Sequence, residues 1–293
     1  MILLKNFPKC FKRGELLKEH TTFKIGGPAQ FWARPLNLDD LAGVLLWCKK
    51  NKKPFRVIGG GSNLLVYDKG VRGVVCELNT PFFTAVASRG VLVFAGAGAS
   101  LSRLISFCTA NKLSGVEFLT GIPGTLGGAI VGNAGTKDKS VGDLVEFVVV
   151  MDYNGSLRKV YGRDLIFSYR DSNIRDSVVL LACLKLLKKD GRAIKNSIAS
   201  YAADRRRNQG RSWLSAGCVF KNPPGDSAGR LIDACGLKSA RRGGAVVSET
   251  HANFILNSGE AKASDVAFLM RRAVTSVYKR YGIRLEPEIK IWR

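Results

Sequence analysis

Residues 121–135 read Gly121-Ile122-Pro123-Gly124-Thr125-Leu126-Gly127-Gly128-Ala129-Ile130-Val131-Gly132-Asn133-Ala134-Gly135, with small apolar side chains between the glycines where an ordinary loop would carry polar ones. Glycine is required where φ is positive or where a ligand must approach the backbone itself, because a Cβ blocks either. Successive N–H groups exposed in such loops form nests for phosphate oxygens. Working outward, two further clusters precede this one, Gly59-Gly60-Gly61-Ser62-Asn63-Leu64 and Ala95-Gly96-Ala97-Gly98. A single cluster reads as a tight turn, but three exceed what turns require and suit an extended, pyrophosphate-bearing dinucleotide. The familiar dinucleotide spacing does not fit. Both upstream clusters lack the last Gly or Ala of G-x-G-x-x-G/A, and no G-x-x-x-x-G-K-[ST] occurs, which argues against Rossmann and P-loop folds.

The flanking pattern alternates strands and helices. Extended segments are expected at 29–34 and 55–58, with a helix over 38–51 between them that Asn37 caps and Asp39 and Asp40 favour in its first turn. Strands follow at 71–78 and through the alternation 82–94, then a helix at 101–111 and strands at 144–152 and 178–187, the first ending in the turn Asn154-Gly155. The polar stretch 188–192 reads as a boundary. Beyond it come helices at 193–207, 228–235 and 263–281 and strands at 252–256 and 285–291. No repeat of 20 to 50 residues is present.

Composition narrows the class. The chain has 293 residues, 46% of them hydrophobic, enough for two or three domains with their own cores. No apolar stretch reaches the roughly 18 residues of a membrane helix, and the N-terminus turns basic at Lys5 too soon for a signal peptide, so a cytoplasmic protein without a membrane partner is expected. Seven cysteines stand singly, which fits a reducing compartment. With His20 and His251 as the only histidines, no metal site is expected. The net charge of +23 raises nucleic acid as a partner, but the runs 49–53, 205–207 and 241–242 lack interleaved aromatics. The reading is a solvated basic surface suited to small phosphorylated ligands; a monomer is expected, though composition does not give the oligomeric state.

Three constellations could supply charge or protons. In Tyr169-Arg170-Asp171-Ser172 the guanidinium could hold a developing carboxylate or enolate, or be simply solvated. In Ser215-Ala216-Gly217-Cys218-Val219-Phe220-Lys221-Asn222-Pro223 a thiol follows a glycine in a loop, near Lys221, which could lower its pKa; alone it reads equally as a buried hydrophobe. In Leu285-Glu286-Pro287-Glu288-Ile289 two acids two apart share one side of a strand, where one could act as a general acid. Two solvated carboxylates on an edge strand would look the same.

Taken in order, these stretches resemble the UDP-N-acetylenolpyruvoylglucosamine reductases of peptidoglycan synthesis, the MurB family. The resemblance rests on Thr22-Phe23-Lys24-Ile25-Gly26-Gly27, Gly59 to Val66, Gly121 to Gly135, Tyr169 to Ser172, Gly217 to Pro223 and Leu285 to Glu288, and it runs nearly the whole chain. It implies an α+β fold: two FAD-binding subdomains of the vanillyl-alcohol-oxidase type, at 1–78 and 79–192, and an α+β substrate-binding domain at 193–293.

The resemblance also implies chemistry. FAD would be bound noncovalently by Gly59, Gly60, Gly61, Ser62, Asn63, Leu64, Ala95, Gly96, Gly98, Gly121, Ile122, Pro123, Gly124, Gly127, Gly128, Ala129, Asn133 and Gly135. NADPH would be the reductant and a nucleotide-sugar enolpyruvyl ether the substrate. Arg170 would hold the charge that follows hydride addition, and Glu288 would polarise the carboxylate or position the donor, with Glu286 the weaker choice. Cys218 would give the proton, standing where most members have serine. A thiol's ordinary pKa of about 8.5 makes it a competent donor, with added sensitivity to oxidation. Tyr169, Lys221 and Asn222 would bind substrate. The short path from Ser172 to residue 188 lacks the tyrosine-bearing insertion of one branch, placing the chain in the shorter type. A different FAD oxidase and a non-catalytic nucleotide-binding protein are the alternatives. The first lacks a histidine in its glycine loops for covalent flavin, and the second leaves the Glu288 stretch unexplained.

Overall fold

The computed structural model of the chain describes residues 10–209 and 214–293. The elements begin with β1 (Phe11–Leu16), β2 (Pro28–Ala33), α1 (Leu38–Lys50), β3 (Phe55–Ile58), β4 (Leu64–Val66) and β5 (Val71–Glu77). They continue with α2 (Pro81–Thr84), β6 (Val86–Arg89), β7 (Leu92–Gly96), α3 (Leu101–Ala110), β8 (Leu113–Ser114), α4 (Leu126–Val131), β9 (Val145–Asp152), β10 (Leu157–Tyr161), β11 (Phe167–Ser168) and β12 (Asp171–Ser172). The remainder are β13 (Ser177–Lys185), β14 (Leu187–Lys188), α5 (Gly191–Gln209), α6 (Ala228–Ala234), β15 (Arg241–Arg242), β16 (Ala245–Val247), β17 (Ile255–Asn257), α7 (Ala263–Tyr281) and β18 (Lys290–Trp292).

These residues form two compact units, one of residues 10–13, 31–60 and 73–204, the other of 14–30, 61–72, 205–209 and 214–293. The units cut across the consecutive segments 1–78, 79–192 and 193–293, because 14–30 and 61–72 join the C-terminal part. Residues 188–192 mark no gap in structure: β14 ends at Lys188, and the Asp190 carboxylate accepts from Arg192 N and Ala193 N (2.8 and 3.1 Å) to start α5.

The first unit holds one sheet whole and the larger part of another. The whole one has the order β10-β9-β13-β7-β6; the other has the order β1-β2-β5-β3, with residues 14–16, 28–30 and 71–72 of its strands belonging to the second unit. The central strands of the five-stranded sheet bury both faces, which is why residues 145–151 and 178–184 read as near-continuous apolar runs. On one face Met151, Val178 and Leu180 meet Leu41, Val44 and Leu45 of α1 and Val74 and Cys76 of β5. On the other, Val148, Val150, Val179 and Leu184 meet Leu101, Leu104 and Ile105 of α3 and Leu126 and Ile130 of α4. The expected cap is formed, with Asn37 Oδ1 accepting from Asp40 N at 2.9 Å. Ser100 does the same for α3 through Arg103 N, at 3.1 Å.

The second unit packs α6 and α7 against β15-β16-β17 through Leu231, Val247, Ile255, Leu269 and Val277, with Phe23, Ile25 and Leu65 joining the same core. Here β18 runs parallel to β4, Lys290 opposite Leu64 and Trp292 opposite Val66.

Several elements differ from expectation: β1, β4, β8 and β16 form where no strand is expected, the strand expected at 252–256 is regular only as β17, and three further differences have a clear physical cause. Proline at the first helical position turns Pro81–Thr84 into a short helix before β6, where an unbroken strand pattern was read. Strand β10 was missed because its burial does not alternate. Regular strand begins only at Lys290; residues 285–289 are held by a bridge between Phe220 and Pro287, and Pro287 has no N–H to extend a ladder. Among the described residues no helix is long and apolar enough to cross a membrane.

Candidate active site

In the first unit the glycine clusters converge through their backbones. A Cβ on Gly60 would lie 2.8 Å from the Cα of Gly124, and one on Gly59 would lie 2.4 Å from Thr125 Oγ1. Gly124 O accepts from Leu101 N, while Leu126 N and Gly127 N donate to Ala99 O and Ala97 O at 2.9 and 2.8 Å. Loop 95–99 is thereby stitched to loop 124–127, and loop 59–60 lies against the same turn. Gly121 and Gly124 have φ of +75° and +135°, which explains their identity without a ligand. Packing also accounts for Gly96, Gly98 and Gly135, where a Cβ would fall 2.1, 1.5 and 2.1 Å from the carbonyls of Phe83, Leu78 and Lys139. Gly128 is different. It is exposed on α4, and a Cβ there would meet nothing nearer than Thr125 Oγ1 at 3.7 Å, so the chain itself does not demand glycine. Convergent loops with an open glycine at their centre are what a cofactor lying against backbone requires. Of the cofactor candidates, Ile122 is half-buried and Pro123 exposed in the same turn, whereas Ala129 and Asn133 are buried.

Strands β11 and β12 form a hairpin, Ser168 opposite Asp171, whose two-residue turn is Tyr169-Arg170. Arg170 sits at φ +60°, a left-handed conformation that a two-residue turn imposes and that costs a non-glycine residue on the order of 1–3 kcal/mol. Its Nη1 donates to Gly135 O at 3.3 Å, and its guanidinium lies 5.4 Å from the exposed ring of Tyr169. The arginine is thus tied to the end of the long glycine stretch.

In the second unit the segment bearing Cys218 runs between two others. Val219 N donates to Asn253 O at 2.8 Å on one side. On the other, Lys221 N donates to Glu286 O and Glu288 N to Val219 O, both at 2.8 Å. Cys218 and Glu288 are both half-buried, each next to Val219 in this ladder. Asn63 joins them: its Nδ2 donates to Glu288 O at 3.3 Å, and its carbonyl accepts from Lys290 N at 2.9 Å. Glu286 is exposed instead, 4.0 Å from Lys221 Nζ. Asn222 is exposed, and its Oδ1 accepts from Ala228 N at 3.0 Å. The 59–64 cluster is shared out, Gly59 and Gly60 in the first unit and Gly61 to Leu64 in the second, where a Cβ on Gly61 would strike His20 O. Leu64 is committed to β4.

Sequence reasoning missed Asn253. It is buried at 2% exposure, and its amide takes both Phe220 N (2.9 Å) and Phe220 O (2.8 Å), fixing the backbone two residues from Cys218. A lone Asn in an apolar run, Ala252 to Leu256, was the available signal. Thr125, whose side chain faces Gly59, was also missed.

Residues 209–292 match the UDP-N-acetylenolpyruvoylglucosamine reductase C-terminal domain, and residues 29–161 match an FAD binding domain. The UDP-N-acetylenolpyruvoylglucosamine reductase of Moorella thermoacetica is 43% identical over 279 residues, covering 95% of this chain and 92% of the relative. The chain belongs to the UDP-N-acetylenolpyruvoylglucosamine reductase family. A second reductase of the family, from Caldanaerobacter subterraneus, is 40% identical over 99% of this chain and 98% of its own length. The crystal structure of the Thermus caldophilus reductase superposes with a TM-score of 0.84 at 39% identity, covering 96% of this chain and 99% of that one. The α+β class, with an FAD-binding domain followed by the reductase C-terminal domain, is as the sequence led us to expect. The cofactor of this flavin oxidoreductase is FAD, and the loops around Gly128 have the open backbone such a group needs.

Proposed function

We propose that Arg170, Cys218 and Glu288 carry out on this chain the reaction of its family, the FAD-dependent reduction of UDP-N-acetylenolpyruvoylglucosamine to UDP-N-acetylmuramate in peptidoglycan synthesis. The observation that carries the assignment is the ladder in which Val219 links the backbones of Cys218 and Glu288. The loops at 59–61, 95–98 and 121–128 hold the cofactor noncovalently. When bound there, FAD reduced by NADPH would supply the hydride for the terminal carbon of the enolpyruvyl double bond.

Charge then develops on C2 and the adjoining carboxylate. Arg170 holds it with a planar guanidinium whose fork matches a carboxylate and which keeps its proton throughout. Glu288 polarises the same carboxylate. Cys218 gives its Sγ proton to C2, completing the new C–H bond, and regains one from solvent. Tyr169 and the Nδ2 donor of Asn222 bind substrate oxygens. Lys221, whose partner Glu286 is exposed, turns to the substrate's phosphates at little cost, since exposed ion pairs contribute about 0–1 kcal/mol. The enzyme works as a monomer in the cytoplasm, where singly spaced cysteines stay reduced.

The test separates the half-reactions. Wild-type protein should oxidise NADPH in stoichiometric proportion to UDP-N-acetylenolpyruvoylglucosamine. Cys218→Ala should keep flavin reduction by NADPH and lose reoxidation by the enolpyruvyl ether, and Cys218→Ser should restore it. Unchanged reoxidation in the alanine variant would make Cys218 a packing residue, and NADPH consumption indifferent to this substrate would reject the function.

A further inference from the structure

Asn133 stands in the glycine-rich stretch expected to touch FAD, yet its amide is engaged within the protein. It is 9% exposed, its Nδ2 donates to Ser168 O at 3.0 Å, and its Oδ1 accepts from Gly142 N at 3.1 Å. Both partners are backbone groups, one able only to accept and the other only to donate, so the orientation of the amide is fixed. Ser168 is the residue that opens the Tyr169-Arg170 turn. Two more bonds join the same two segments with the hairpin as donor: Ser172 Oγ donates to Val131 O at 3.0 Å, and Arg170 Nη1 donates to Gly135 O at 3.3 Å. Alternate residues of the hairpin, 168, 170 and 172, are thus bonded to alternate residues of the flavin loop, 133, 135 and 131. Asn133 itself has φ +41°, held in the left-handed region beside the similarly held Arg170.

We infer that Asn133 is a positioning residue that sets the Arg170 guanidinium against the flavin loop, and not a cofactor contact. The inference rests on Arg170 being the cation of the reaction. Removing the amide lets the Ser168–Arg170 turn move relative to the loop, and a displacement of about 1 Å at a catalytic group can cost on the order of 100-fold in rate.

Asn133→Gly is the sharpest variant, because glycine takes φ +41° without strain and only the side chain is lost. It should bind FAD and accept hydride from NADPH as wild type does, while reoxidation by the enolpyruvyl substrate slows roughly tenfold or more, in kcat rather than in KM. Asn133→Asp keeps the bond from Gly142 and loses the one to Ser168, so its reoxidation should slow as well. Combined with Arg170→Ala, Asn133→Gly should slow the reaction no further. Loss of FAD in both single variants would make Asn133 a cofactor contact and overturn the inference, as would wild-type reoxidation in Asn133→Asp or fully additive losses in the double variant. Wild-type reoxidation in Arg170→Ala alone would instead reject the role of Arg170.

Discussion

Arg170, the cation we propose for the reaction, sets backbone strain against that proposed role within one residue. Its φ of +60° stores strain that glycine would release. Arg170→Gly should therefore raise the unfolding free energy by about 1 kcal/mol in urea titrations, while slowing substrate-driven flavin reoxidation by roughly 100-fold or more in stopped flow. Equal stability with full activity would show that the turn is relaxed and the guanidinium idle. The sequence marks this residue as a candidate, since a guanidinium in Tyr-Arg-Asp-Ser suits a developing carboxylate. Its conformation was not legible, because no glycine or asparagine marks the turn as left-handed. The tie from Asn133 to Ser168 and the role of Asn253 escaped for another reason. The partners of these two side chains are backbone groups 35 and 33 positions away, and backbone carries no side-chain signature.

At the level of elements, the glycines divide into those the fold needs and those it leaves open, and substitution can tell them apart. Gly98→Ala would place a Cβ 1.5 Å from Leu78 O and should yield little folded protein. Gly128→Ala meets no such obstacle and gains up to about 1 kcal/mol of helix propensity in α4, so it should fold at least as stably while FAD affinity falls, as measured by flavin release on dilution. Retained affinity would move the cofactor away from α4. Sequence could place the clusters at strand ends and helix starts, but could not sort them, because the obstructing carbonyls come from residues 78, 83 and 139. Helix α7 was legible to its last residue through its regular apolar stripe and the glycine that follows at φ +69°. The bridged stretch 285–289 was not, since Leu285 and Ile289 bury as they would in a strand while the pairing is to Phe220 and Val219, some 65 positions earlier.

For the whole molecule, His251 makes folding sensitive to acid. Burial against Phe254 favours its neutral ring and lowers its pKa, with Lys238 adding to the effect, and Nδ1 accepts from Asn253 N at 3.2 Å. The unfolded chain therefore takes up the proton first. Stability is fully present above the ordinary value of about 6.5 and is lost as pH falls through the lowered folded value. His251→Gln should flatten the pH dependence of the urea midpoint between about pH 7.5 and 5.5 relative to wild type; parallel curves would exclude the histidine. The excess of positive charge was plain from composition, whereas the chain's exchange of 14–30 and 61–72 between units was not, because no linker announces it. That exchange bears on how the protein is made. Asn63 and Glu288, bonded in the finished fold, are 225 positions apart, and strand β4 pairs with β18. At about 5–20 residues per second, a nascent chain displays the first half of this pairing for more than about ten seconds before the second half exists. A partly synthesised chain can therefore complete neither the β4 edge nor the segment carrying Glu288 until residues 288–292 are made, so this part of the fold closes in one step rather than by degrees.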